Sequence, residues 1–296
     1  MKRFGRLSVL LVAVFVLGGL FPAHAAKKLM PRPPIYGIPA KTLPQGKWIF
    51  RGYFILPQFD KMYNANQGKM VDIPTGMKLS VRTVVGKFRY GVTNRLTAIV
   101  NIPYVHKEFT KGTVQKSSTG PGDVIGALLY KMIHNRQQKF LFSALLFTKY
   151  PTGQSADLSP TEMPLGTGSF DIGVAALPEK EIGKWDLRGS AFYIHRGKNK
   201  SDVDLGDAMS LSWSSAYNFN RNLIAEATWL YKQTANNSKN GKEIADSNTR
   251  LFQFIPGFQY RVRRTFLLQL AMPITLSSQR PFSDTFEPWL GWYILF

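Results

Sequence analysis

The chain has 296 residues, no cysteine and a formal net charge of +20. An exported chain without cysteines has no disulfide framework and must be held by its core or by strand pairing. The basic balance points to an anionic partner, but no basic helix or finger spacing accompanies it, which argues against nucleic acid.

Lys2, Arg3 and Arg6 form a charged opening, and Ser8 to Phe21 is an uncharged, mostly apolar run. Ala23-His24-Ala25 comes next as a small-x-small cleavage site. Residues 1–25 therefore read as a secretory signal peptide, cleaved after Ala25 and too short for a spanning helix. No later apolar run is long enough to cross a membrane as a helix. Residues 26–47 are rich in proline and lysine, with Pro31, Pro33, Pro34, Pro39 and Pro44. They read as an extended periplasmic lead, either loose or tucked into the mouth of the strand-rich domain behind it.

From Trp48 onward, alternation outcompetes helical periodicity. Strands are expected at about 48–58, 77–92, 96–108, 122–133, 139–151, 169–177, 186–196, 208–218, 222–233, 249–262, 265–277 and 286–296. Most are long enough for a tilted membrane strand, which needs roughly 9–11 residues. In the second, Met77 to Val85 alternates one way and Phe88 and Tyr90 fall on the other parity, so a bulge near Gly86 is expected. The last strand is apolar at Phe286, Pro288, Leu290, Trp292, Ile294 and Phe296 and mixed at Glu287, Trp289, Gly291, Tyr293 and Leu295. Lipid outside and a wetter lumen inside would demand that division.

Short connections at 94–95, 134–138, 178–185, 219–221 and 263–264 alternate with long ones at about 60–76, 109–121, 152–168, 197–207, 234–248 and 278–285. Outer-membrane barrels have short periplasmic turns and long external loops. The expected fold is all-β: a single antiparallel transmembrane β-barrel of about 12 strands over 48–296, with both termini periplasmic. Trp48, Tyr104, Tyr150, Trp185, Trp229, Tyr231, Trp289 and Tyr293 lie near strand ends, and the lipid-facing ones would form interfacial girdles.

Parity also assigns the lumen. Arg51, Lys78, Arg82, Lys131, Lys149, Arg188, Arg196, Lys232 and Arg261 are expected to line it, with Glu226, Glu287, Asp123 and Asp171. A basic lumen favours anions; the same charges could instead pair and fill a closed barrel. A rim lipid hydrolase would need a Ser/His pair. His106 and His195, near Ser117, Ser118 and Ser201, stand in no recognisable nucleophile motif. No catalytic residue, metal ligand set or cofactor is expected.

GPGDV at 120–124 opens a strand, KYPTG at 149–153 ends the next, and PLGTGSFD at 164–171 starts another. In this order and spacing they resemble the outer-membrane family named for the meta-cleavage pathway of phenol degradation. That resemblance implies a barrel in the outer membrane acting as a transporter; with the basic lumen, the expected role is passive uptake of small, aromatic or anionic, solutes. The terminal Phe296 likewise resembles the insertion signal of outer-membrane proteins. It implies that 286–296 meets the barrel-assembly machinery and that the wall meets outer-membrane lipid and lipopolysaccharide. The motif glycines are expected at loop-to-strand junctions that need positive φ or tight turns. No helix start comes after them, as a phosphate-cradling loop would require.

Overall fold

The structure, a computed structural model, describes residues 33–64 and 67–296. The expected signal peptide, its cleavage site and residues 26–32 of the lead lie outside that range. Among the described residues there is no helix, and twelve strands form the wall. They are β1 (Trp48–Ile55), β2 (Met77–Gly91), β3 (Leu96–Lys111), β4 (Val124–Asn135), β5 (Phe140–Tyr150) and β6 (Asp171–Ile182). The second half comprises β7 (Trp185–Arg196), β8 (Ala208–Asn218), β9 (Leu223–Thr234), β10 (Thr249–Arg263), β11 (Phe266–Ala271) and β12 (Trp289–Leu295). Each pairs antiparallel with the next. Ile49 to Ile55 of β1 then pairs with Leu295 to Trp289 of β12, so the sheet closes on itself and leaves no edge.

One end carries short turns and the other long loops, as the connection lengths require. The long-loop end is extended by short strands at Gln58–Asn64, Lys69–Asp72, Val114–Pro121, Ile274–Ser278 and Ser283–Phe286. Outward positions are apolar: Val100, Leu128, Leu146, Val174, Leu211, Phe258, Leu270 and Leu290 are all exposed. Aromatic girdles flank this belt. Trp48 stacks near Tyr90 at 4.3 Å and Trp185 near Tyr217 at 4.9 Å at the short-turn end. Tyr150 meets Phe170 at 5.5 Å toward the other end. An exposed apolar band between such girdles is what lipid selects for. Trp289 and Tyr293 instead share the inward parity of Gly291 and Leu295.

Four strand expectations need correction. β2 pairs with β3 in unbroken register from Met77 to Gly91, so there is no bulge at Gly86. Between neighbouring wall strands, register breaks fall between Lys131 and Ile133 and between Arg261 and Arg263. The strand expected at 169–177 runs on to Ile182, leaving Gly183 and Lys184 as the turn. Proline normally marks a strand's end, yet Pro178 stays inside β6, where its ring faces the bare Cα of Gly189. The expected strand at 265–277 breaks around Pro273, and β12 starts at Trp289 rather than Phe286.

Candidate functional site

The barrel is filled by its own N-terminal lead. Ile35, Ala40 and Leu43 are buried among inward wall residues: Ile35 with Leu230, Ile255 and Ala271; Ala40 with Ile99, Leu129 and Leu177; Leu43 with Ile49, Leu267 and Leu295. Burying a side chain the size of Ile35 or Leu43 contributes about 1.5–3 kcal/mol. Gly37 turns the lead at a φ of 83°, a left-handed conformation that costs glycine little. The proline- and lysine-rich composition left the lead either loose or tucked in; packing and hydrogen bonding place its described part within the lumen.

The lead's polar groups are divided between two sides of the wall. On one side its carbonyls accept from arginines: Ile35 O from Arg51 at 2.6 Å and Lys41 O from Arg89 at 2.8 Å. On the other its donors meet carboxylates. The N–H of Ile35 reaches Glu226 at 3.1 Å, and the Lys41 ammonium lies 3.0 Å from Glu179 and also pairs with Glu181. Burial works against the Lys41 charge, but Glu179 and Glu181 overcome it and hold its pKa above the ordinary lysine value. Further ties run from Gln259 to Pro33 O at 2.8 Å, Ser143 to Ala40 O at 2.7 Å and Leu43 N to Thr97 at 2.8 Å. Hydrogen bonds to charged groups contribute about 1.5–3 kcal/mol each. One void beside the lead, lined by Tyr36, Gly37, Arg188 and Ser214 among others, is about 10 Å³, room for about one water.

Arg51, Arg188, Glu226 and Arg261 are buried within the barrel. Arg188 pairs with Glu226 at 3.1 Å and Asp186 at 3.3 Å, while Arg261 donates to Arg221 O at 2.8 Å. Lys131 has inward parity but donates to Asn94 O of a short turn. Arg196 donates to Gly206 O at the long-loop end. Lys232 lies 5.6 Å from the Tyr36 ring centre, and Glu287 accepts from the Trp289 indole.

Lys78 and Arg82 are placed wrongly by the sequence. Without the bulge they share the outward parity of Phe88, and Arg82 sits across from His106. Beyond the aromatic girdle the outer surface meets water rather than lipid, so charge faces out and Met77, Leu79 and Val81 face in. Sequence reasoning also missed Lys87, Arg89, Glu179 and Asp186. The first two alternate with Phe88 and Tyr90, a signal that was present; Glu179 was hidden behind Pro178.

The three sequence motifs meet at the long-loop end. Asp123 accepts from Gly153 N at 3.1 Å and Thr167 N at 2.8 Å. Lys149 bridges Asp171 at 2.8 Å and Asp123 at 3.4 Å. A Cβ on Gly166 would run into the Asp123 carboxylate. Of these motif glycines Gly168 has positive φ; Gly153 and Gly166 are there for close approach instead. The latch holds the 151–170 loop against the inner face of Val114–Pro121, where Ser118 accepts from Met163 N at 2.8 Å. Near the rim, His106 binds Thr119 and Glu108, and His195 binds Asp207; neither is hydrogen-bonded to a serine.

A closed twelve-stranded barrel with an apolar belt, two girdles and a polar, filled lumen defines an outer-membrane β-barrel. A family model described as "Putative MetA-pathway of phenol degradation" matches residues 59–285, and the chain belongs to that family. Its fold is similar to that of an outer membrane channel from Pseudomonas putida F1, with a TM-score of 0.73 at 17% identity over 87% of this chain and 98% of that one. It is also similar to the translocator domain of the autotransporter NalP from Neisseria meningitidis, with a TM-score of 0.51 at 9% identity over 86% and 90% of the two chains. The β domain of the Bordetella autotransporter BrkA gives 0.51 at 11% identity over 85% and 100%. No curated protein matches the chain.

Proposed function

We propose that the protein is a passive outer-membrane channel for small solutes, with short turns and both termini on the periplasmic side, and that residues 33–44 are its plug. One observation carries this reading. The lumen is filled by a segment clamped through side-chain contacts rather than paired into the sheet. A purely structural barrel can close with wall side chains alone; this one uses a piece of chain that can leave without breaking the wall ladder. The likeness to a channel and the family named for phenol degradation support the same reading. Small aromatic or anionic solutes fit the lumen that the plug vacates, which combines Tyr53, Trp289 and Tyr293 with Arg51 and Arg89.

The test is conductance in planar bilayers of the intact protein beside a variant lacking residues 33–44. The deletion variant is expected to conduct at least about tenfold more, because polar wall groups then face water instead of peptide. A deletion variant that folds, shown by its heat-modifiable mobility, and still passes no current would refute the channel and favour a scaffold.

A further inference from the structure

The two sides of the lumen are not equivalent in charge. On the acidic side each carboxylate near the lead has a cation: Glu226 has Arg188, and Glu179 and Glu181 have Lys41. On the basic side Arg51, Lys87 and Arg89 come from the adjacent strands β1 and β2. Arg51 sits directly across from Lys87, and Arg89 is two residues further along β2. Their relative exposures are 4%, 8% and 4%. Among the described residues no carboxylate lies within ion-pair distance of any of them. The lead gives Arg51 and Arg89 one carbonyl each and leaves both Nε atoms without a partner. The Lys87 ammonium donates no hydrogen bond to a described residue. Its neighbour across the β2–β3 ladder, Asn101, has an oxygen that is itself unpartnered, and the Tyr53 ring is 6.0 Å away. The Arg51 guanidinium is oriented between two aromatic rings, 4.9 Å from both Tyr53 and Tyr293.

Three adjacent buried cations with no carboxylate in direct contact are unfavourable unless a proton leaves or an anion arrives. Two guanidiniums hold their charge at any ordinary pH, so loss of a proton from Lys87 relieves only part of the strain. We infer that Arg51, Lys87 and Arg89 form an oxyanion-binding site in the lumen, taking a small carboxylate or a phosphate group. The guanidiniums offer forked donors and Lys87 supplies a point charge between them. An anion seated there competes with the two lead carbonyls for the same arginine donors. It therefore loosens the plug from the basic side while the acidic side still holds it.

Titration calorimetry on the full chain refolded in detergent tests the site, with inorganic phosphate and acetate as separate probes. Saturable binding of at least one probe is expected. Lys87→Met is expected to weaken it by about tenfold or more, the scale of a lost charge-assisted hydrogen bond. Lys87→Arg keeps it, and Lys78→Met, on the outer face, leaves it unchanged. If Lys87→Met loses its heat-modifiable folded band, Lys87→Gln provides the same comparison. Absence of saturable binding to the intact protein, or equal affinity in the folded Lys87 variants lacking charge, overturns the site. Binding is read without current, so a conducting protein that binds neither probe loses only this inference, and a non-conducting one that binds loses only the channel.

Discussion

Two charge clusters in this barrel are built in opposite ways. The latch of Asp123, Lys149 and Asp171 at the long-loop end is complete within wall and loop. Its cation sits between two carboxylates, and backbone N–H groups of the 151–170 loop satisfy Asp123. The lumen cluster nearer the short turns is finished only by the lead, which supplies carbonyls to Arg51 and Arg89 and an ammonium to Glu179. A self-contained cluster belongs to the fold, and a cluster completed by a separable segment can exist in two states. On the proposed reading, stability and gating fall to different ends of the same cylinder.

The largest effect is expected from breaking the latch. Asp123→Ala leaves Lys149 with one carboxylate and strips the loop amides of their acceptor. Breaking a buried pair costs about 3–5 kcal/mol, which urea unfolding in lipid vesicles would register as a lower midpoint. Conductance should stay as in the intact protein, and a large change would show that the latch also governs the plug.

Next comes Glu226→Ala, which removes the acceptor of Ile35 N and one partner of Arg188. It is expected to weaken docking of the lead by about 1–3 kcal/mol and to spare the wall ladder. The chain lacks cysteine, so Ala40→Cys gives a unique probe of the docked lead. Its labelling by a water-soluble maleimide should accelerate in the Glu226→Ala background; an unchanged rate would unlink Glu226 from the plug.

Gly91→Ala acts on the lead from the other end. A Cβ there would collide with the carbonyl of Pro44, and the lead is tied here by Gly46 N to Gly91 O at 2.8 Å. The expected result is faster Ala40→Cys labelling, by severalfold rather than by orders of magnitude, since one end of the lead can shift to relieve the clash.

The smallest effect is that of pH on Lys41. Its pKa is raised in the docked state, so its contribution is complete below the ordinary lysine value of 10.5 and is lost as pH climbs through the raised one. Ala40→Cys labelling should therefore gain an alkaline step beyond ordinary thiol ionisation. Lys41→Gln should lack that step; an identical profile in both would remove Lys41 from the clamp.

Much of the wall was legible residue by residue. Phe252 and Phe258 face out and Gln253 and Gln259 face in, as period-two chemistry requires. The lumen was legible in part. Arg188 and Glu226 were assigned inward because they sit in cleanly alternating strands. Lys78 and Arg82 were misplaced because an apolar side was equated with the lipid side, which fails above the girdle.

Sequence by itself determined the twelve strands, their faces across the apolar belt and the alternation of short turns with long loops, because each is a local property of neighbouring residues. Only the tertiary structure decided that the lead fills the lumen and that three motifs close one latch. Ile35 meets Glu226 across 191 positions of chain, and a hydrogen bond between a backbone amide and a distant carboxylate leaves no periodic trace in either segment.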